Sequence, residues 1–145
     1  PLLEMDIEPL LREELAQSPR VEVQIQTPLP TIPVHPDSLR AIVRELLSNA
    51  LEATDESIKL AVAHDEESLY IDISNPGPAP TMQQIDCIFD PYFSTRGKGR
   101  GFGLSRVHGL IQGHKGQVTV STSTPNNTRF RLQFPRLHSD GDGEG

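Results

Sequence analysis

Apolar positions along the chain change period several times, and each change marks an element. Leu39, Ile42, Val43, Leu46, Leu47, Ala50 and Leu51 follow offsets of three and four, which place them on one stripe of a helix. Asp37 or Ser38 stands where that helix needs a cap. Leu3, Ile7, Leu10, Leu11 and Leu15 recur at the same period and predict a helix over residues 1–18, ended by Pro19. Alternation of apolar and polar residues marks strands at VEVQIQ, SIKLAVAHD and SLYIDIS, the last two joined as a hairpin by Asp65-Glu66-Glu67. QVTVSTS and TRFRLQF form a second such pair around Pro125-Asn126-Asn127. A link rich in proline (Pro28, Pro30, Pro33, Pro36) is expected to lie in neither helix nor sheet. NPGPAP (75–80) reads as a rigid loop, TMQQIDCIF as a short helix, and Leu104 to Gln112 as a helix ended near Gly113. The order α-β-α-β-β-α-α-β-β predicts a two-layer α/β sandwich, a mixed and mostly antiparallel sheet of about five strands packed on about three helices.

At 145 residues the chain makes one domain, expected over residues 1–136, with a disordered tail over 137–145. No apolar run approaches the ~20 residues that span a bilayer. The single cysteine, Cys87, excludes a disulfide framework and a zinc cluster built on cysteine, and fits a reducing compartment. A net charge of -7 argues against a general nucleic-acid binder. Its distribution says more than its sum. Residues 1–90 hold 17 acids against 5 bases, whereas residues 91–139 hold 8 bases and no acid. That basic, glycine-rich stretch is suited to an anionic partner, although a basic surface without one has the same composition.

Three places can carry chemistry. Glu45 and Asn49 lie four apart, on one flank of the apolar stripe, where a carboxamide oxygen suits a hard cation and a carboxylate can take a proton or orient water. The solvated flank of an ordinary helix has the same spacing. In STRGKGRGFGL, the alternating Gly99, Gly101 and Gly103 directly precede a helix. Glycines let backbone N–H groups approach a phosphate, and the helix N-terminus favours negative charge. Flexible loops look similar, and the segment lacks the spacing of a P-loop. Asn75 ends a strand, where its carboxamide could read the edge of a base or simply open a turn.

Taken together, order and spacing resemble the ATP-binding catalytic domain of two-component sensor histidine kinases, in the superfamily that includes DNA gyrase, Hsp90-type chaperones and MutL ATPases. The likeness runs from about residue 5 to 136. HPDSLRAIVRELLSNALEAT is similar to the asparagine box, ISNPGPAP to the first glycine box, IFDPYFST to the phenylalanine box, GKGRGFGL to the second glycine box and TRFRLQFP to the closing strand. The resemblance implies the Bergerat-type ATP-binding fold, with ATP and Mg²⁺ as ligands. It makes Asn49 the metal-coordinating residue and Glu45 the one that polarises the nucleophile. Asn75 would accept from the adenine amino group, beside Gly77 and Ala79, with Thr128 near the base. Phe89, Tyr92 and Phe93 would anchor a short lid at 94–100 that includes Thr95, Arg96, Lys98, Gly99 and Arg100. Gly99, Gly101 and Gly103 would cradle the phosphates, within a box completed by Phe102 and Leu104.

Two departures bear on affinity. Asn75 stands where the family commonly has Asp, and Ala79 replaces the second glycine of its box. Glu52 stands where a basic residue is common. None of the five histidines lies in the setting of a phosphoacceptor, so the acceptor is expected on a dimerisation domain outside this chain. His108 and His114 are expected to be surface or internally satisfied residues. The resemblance implies transfer of the γ-phosphoryl of Mg-ATP to that histidine, a response regulator as downstream partner, no nucleic acid, and a homodimeric parent. It also implies a cytoplasmic location, with the parent anchored in the inner membrane in the manner of many sensor kinases. Two alternatives stay open: a degenerate nucleotide-sensing or docking module, and an ATPase clamp of the gyrase or MutL kind, which the short lid disfavours.

Overall fold

The structure is a computed structural model, and it describes residues 2–77, 81–89, 103–121 and 126–136. In chain order the elements are β1 (Leu3–Met5), α1 (Glu8–Leu15), β2 (Val21–Ile25), β3 (Ile32–Val34), α2 (Pro36–Ala53), β4 (Ile58–His64), β5 (Ser68–Pro76), α3 (Met82–Cys87), α4 (Gly103–Gly113), β6 (Gln117–Ser121) and β7 (Asn127–Pro135). Five strands form one sheet in the order β2-β4-β5-β7-β6, and β1 pairs with β3 in a separate ribbon. Only β2 and β4 run parallel within the five-stranded sheet; its other three pairings are antiparallel. The expected mixed, mostly antiparallel sheet with helices packed on it is therefore the fold observed, with four helices among the described residues.

Burial follows the apolar periods. Helix α2 buries Leu39, Ile42, Val43, Leu46, Leu47 and Ala50, the stripe read from the sequence. Against it lie the inward residues of the central strands: Leu69, Ile71 and Ile73 of β5, and Phe130, Leu132 and Phe134 of β7. Each fully buried Leu or Ile contributes ~1.5–3 kcal/mol relative to exposure. Helix α1 adds Leu10, Leu11 and Leu15, and α4 adds Val107 and Ile111.

Four expectations need correction. Residues 1–18 are not one helix, because α1 starts at Glu8 with Pro9 in its first turn. Extended backwards, that helix would need an N–H that Pro9 lacks and would press its ring on the Met5 carbonyl. The segment before it instead pairs with β3, Glu4 opposite Pro33. Pro33 thus does lie in a strand, in a ribbon of two where one edge of each strand needs no ladder bonds. Pro36 likewise opens α2, where its missing N–H costs nothing. The cap is His35 rather than Asp37 or Ser38: its Nδ1 accepts from the Ser38 N–H at 3.4 Å. The loop after β5 also starts later than expected, since Asn75 and Pro76 belong to the strand.

Polar ties set how these elements meet. Asp65 closes the β4–β5 hairpin by accepting from the Glu67 and Ser68 N–H groups at 2.9 Å each and from the Tyr70 hydroxyl at 3.0 Å. These bonds, that of Glu67 first, hold its carboxyl below the ordinary range. Arg20 donates to the carbonyls of Leu51, Thr54 and Glu56 at 2.8–3.0 Å. It thereby occupies carbonyls that the end of α2 leaves unpaired.

Candidate functional site

Along β5 and β7 the inward residues pair across the ladder as Leu69 with Phe134, Ile71 with Leu132, and Ile73 with Phe130. The next inward rung is Asn75 opposite Thr128. Both are buried, at 6% and 7% exposure, so the core face turns polar at this one end. The Asn75 Nδ2 donates to the Pro76 carbonyl at 2.9 Å. That bond assigns the nitrogen end of the carboxamide to the backbone and leaves Oδ1 as the acceptor it presents. Among the described residues neither Asn75 Oδ1 nor Thr128 Oγ1 has a hydrogen-bond partner.

Gly77 follows at φ +125°, a conformation that favours glycine. A Cβ there would stand 3.6 Å from the Ala53 carbonyl oxygen, so the end of β5 passes close to the end of α2. The Gly77 N–H donates to the Asn126 carbonyl at 2.8 Å, fastening this turn to the start of β7.

One turn back along α2 from Ala53 is Asn49, and one turn further is Glu45. The Asn49 Nδ2 donates to the Glu45 carbonyl at 3.0 Å and to its Oε2 at 3.1 Å. The predicted pair is thus joined, with the nitrogen end of the carboxamide turned to Glu45 and its oxygen at the other end. The second carboxylate oxygen of Glu45 meets Arg106 Nη2 of α4 at 3.5 Å. Arg106 lies in the first turn of α4, where a cation opposes the helix dipole; Glu45 supplies the compensating charge.

Phe89 marks the other rim. Its ring stacks on His108 of α4, with centroids 5.6 Å apart, and meets Phe130 edge-on at 6.2 Å. Phe89 thus joins α4 to β7 by ring contacts. Leu104 also packs against the core, and Gly103 opens α4. The remaining expected site residues, Ala79, Tyr92, Phe93, Thr95, Arg96, Lys98, Gly99, Arg100, Gly101 and Phe102, lie outside the described residues.

A sequence model of the family described as histidine kinase-, DNA gyrase B-, and HSP90-like ATPase matches residues 34–138. The chain belongs to this family. Among curated relatives of this ATPase domain, the sensor histidine kinase ZraS of Escherichia coli strain K12 is 31% identical over 119 residues, which is 81% of this chain and 26% of ZraS. The probable sensor kinase SilS of Salmonella typhimurium is 33% identical over 110 residues, 70% of this chain and 22% of SilS. The chain thus spans about a quarter of the length of the curated relatives it matches. Among solved structures, full-length ShkA in complex with AMPPNP matches with a TM-score of 0.80 at 26% identity, covering 95% of this chain and 32% of ShkA. The catalytic domain of histidine kinase ThkA shares the fold at a TM-score of 0.81 and 22% identity, over 94% of this chain and 98% of that one.

One residue that shapes the site has no signal in the sequence. Arg106 registers there only as one of the bases in an acid-free stretch. Its partner Glu45 is 61 positions earlier, and no local pattern links the two. Among the described residues no cluster of three or more His, Cys, Asp or Glu forms a metal site, and no helix is long and apolar enough to cross a membrane.

Proposed function

We propose that this chain is the ATP-binding catalytic domain of a sensor histidine kinase, which transfers the γ-phosphoryl of Mg-ATP to a histidine on a dimerisation domain outside the chain. The observation that carries the reading is the polar rung Asn75–Thr128. The Asn75 Oδ1 has no hydrogen-bond partner among the described residues, and the amino group of adenine is a donor that would satisfy it. Gly77 beside it keeps the backbone free of a Cβ where a flat base would enter.

The donors fit magnesium. This ion commonly takes only one or two side-chain oxygens and completes its shell with phosphate and water. Asn49 would hold it, with Glu45 one helical turn away. When bound, Mg²⁺ supplies neutralisation of charge on the phosphates. The chain's own residues orient and exclude: Asn75 and Thr128 take the base, Phe89 closes the rim by packing, and the residues expected to form the lid (Thr95, Arg96, Lys98, Gly99, Arg100, Gly101, Phe102, with Gly103 and Leu104) surround the phosphates. Phe93 and Ala79 complete the lid base and the first glycine box. Glu45 accepts the proton of the attacking nucleophile or orients it, and Asn49 fixes the carboxylate for that task. Such catalysis rests on positioning and charge compensation, with no covalent step on this chain.

The full protein is then a homodimer that passes phosphoryl to a response regulator, works in the cytoplasm and has its parent anchored at the inner membrane. Residues 1–136 form the catalytic domain and 137–145 its tail. Calorimetric titration of Mg-ATP and Mg-ADP into the chain is expected to show saturable one-to-one binding. Absence of binding up to millimolar nucleotide would favour the docking-module alternative. Steady ATP hydrolysis by the chain alone, abolished in Glu45→Ala, would favour the clamp alternative.

A further inference from the structure

Helices α2 and α4 run antiparallel, and two of the polar ties between them differ in character. Near the start of α4 the tie is Arg106 with Glu45, at 3.5 Å and with the arginine side chain 63% exposed. At the other end it is His114, the residue directly after α4, which is only 2% exposed. Its Nε2 accepts from the His35 backbone N–H at 3.0 Å, and its Nδ1 lies 2.9 Å from the Leu110 carbonyl oxygen. A ring nitrogen that accepts from an amide carries no proton. The proton is therefore on Nδ1, donated to Leu110, and the imidazole is neutral in one tautomer. The ring meets Phe134 edge-on at 5.6 Å, which fixes its plane.

This single side chain joins the last turn of α4 to the residue that caps α2. His35 itself accepts from Ser38 N–H, so the bond from His114 lands on the cap that starts the helix bearing Glu45 and Asn49. We propose that His114 is a positioning residue for the phosphate half of the site: it sets the distance between α2, with Glu45 and Asn49, and the glycine-bearing start of α4. The inference rests on the ATP reading above. Arg106 stands ~12 Å along the helix from His114 at ~1.5 Å per residue. A tilt of ~5° about that end would move the start of α4 by ~1 Å, enough to cost a site of this kind as much as ~100-fold. The base half is built on β5 and β7, and His114 touches β7 at Phe134, six residues along the strand from Thr128.

The test separates the two halves. Mg-ATP and adenosine are titrated into the full 145-residue chain and into its His114→Phe and His114→Gln variants, with thermal unfolding recorded for each. The expected result is a ~10- to 100-fold loss of Mg-ATP affinity in His114→Phe with adenosine affinity held within about twofold. His114→Gln keeps an acceptor for the His35 N–H and is expected to recover most of the loss. Equal losses for both ligands, or no loss for either, would overturn the proposal, since a merely structural histidine gives one or the other. Should the phenylalanine variant not fold, His114→Asn against His114→Gln makes the same comparison, because the shorter amide reaches only the Leu110 side. Equal Mg-ATP affinity in those two would be fatal to it. A nitrogen-detected spectrum of the imidazole is expected to show the Nδ1–H tautomer, and an Nε2–H tautomer would contradict the argument. If the unaltered chain binds neither ligand, the ATP reading itself fails and this inference with it. If it binds both and His114→Phe does also, only the inference fails.

Discussion

Two of the polar pairs at i, i+4 on helix α2 lead different lives. Arg40 and Arg44 turn towards α1 and close on Glu14, whose side chain is 5% exposed. Arg44 Nε and Nη2 reach it at 2.7 and 3.1 Å, and Arg40 Nη1 at 3.2 Å. Two like charges one turn apart repel each other, and the buried carboxylate between them removes that cost. The hydrogen bond from Arg44, with help from Arg40, holds the Glu14 carboxyl below the usual glutamate range against the opposing effect of burial. Glu45 and Asn49, about 140° around the same helix, are joined by a hydrogen bond from side chain to side chain, and Glu45 reaches α4 through a longer ion pair. The first cluster is complete within the protein and holds two helices together. The second ties α2 to α4 through an ion pair whose arginine side chain is 63% exposed.

Substitutions can break that contrast. Asn49→Ala is expected to have the largest effect, lowering Mg-ATP affinity ~10- to 100-fold while the melting temperature stays within ~2 °C. A comparable loss of stability would mean that the two clusters do the same work. Glu14→Gln should show the converse. Loss of charged hydrogen bonds costs ~1–2 kcal/mol, or a fall of roughly 3–6 °C in melting temperature, with Mg-ATP affinity unchanged. The pH dependence follows in sign. The Glu14 carboxyl is depressed in the folded state, so its contribution is present at neutral pH. It disappears as pH falls through the ordinary glutamate range towards the depressed value. Acid unfolding monitored by circular dichroism should therefore be shallower in Glu14→Gln. The smallest effect belongs to the floor of the site: Asn75→Asp adds charge to an existing acceptor and is expected to raise adenine-nucleotide affinity ~5-fold, ~1 kcal/mol. Weaker binding in that variant would show that the bond from Asn75 Nδ2 to the Pro76 carbonyl, which Asp cannot make, outweighs the added charge.

The sequence makes these two clusters unequally legible. Periodicity locates α2 and puts Glu45 and Asn49 together, because a helix converts a spacing of four into contact. It does not reveal Glu14, since an acid on a helix reads as solvated until the packing angle of a second helix is known. The strand β1 was hidden for a related reason: Leu3 shares a helical period with Ile7 and Leu10, but it is 56% exposed, and its ladder partner Val34 is far along the chain. Proline chemistry at Pro9, Pro33 and Pro36 carries the needed information, once the first turn of a helix and the free edge of a ribbon are allowed as places where a missing N–H is harmless. Asn75 was placed at a strand end by alternation. That it shares a buried rung with Thr128 depends on the register between two strands more than fifty residues apart.

The antiparallel setting of α2 and α4 has a consequence for the field across the site. The carbonyl end of α2 lies beside Gly77 and the N–H end of α4 begins at Gly103, near Glu45 and Arg106. Because the helices are antiparallel these two ends lie on the same side of the pair, with partial negative charge beside Gly77 and partial positive charge beside Gly103. A nucleotide bound as proposed would lay its amino-bearing base towards the first and its anionic phosphates towards the second. The backbone alone, before any side chain is counted, favours one direction of entry over its reverse.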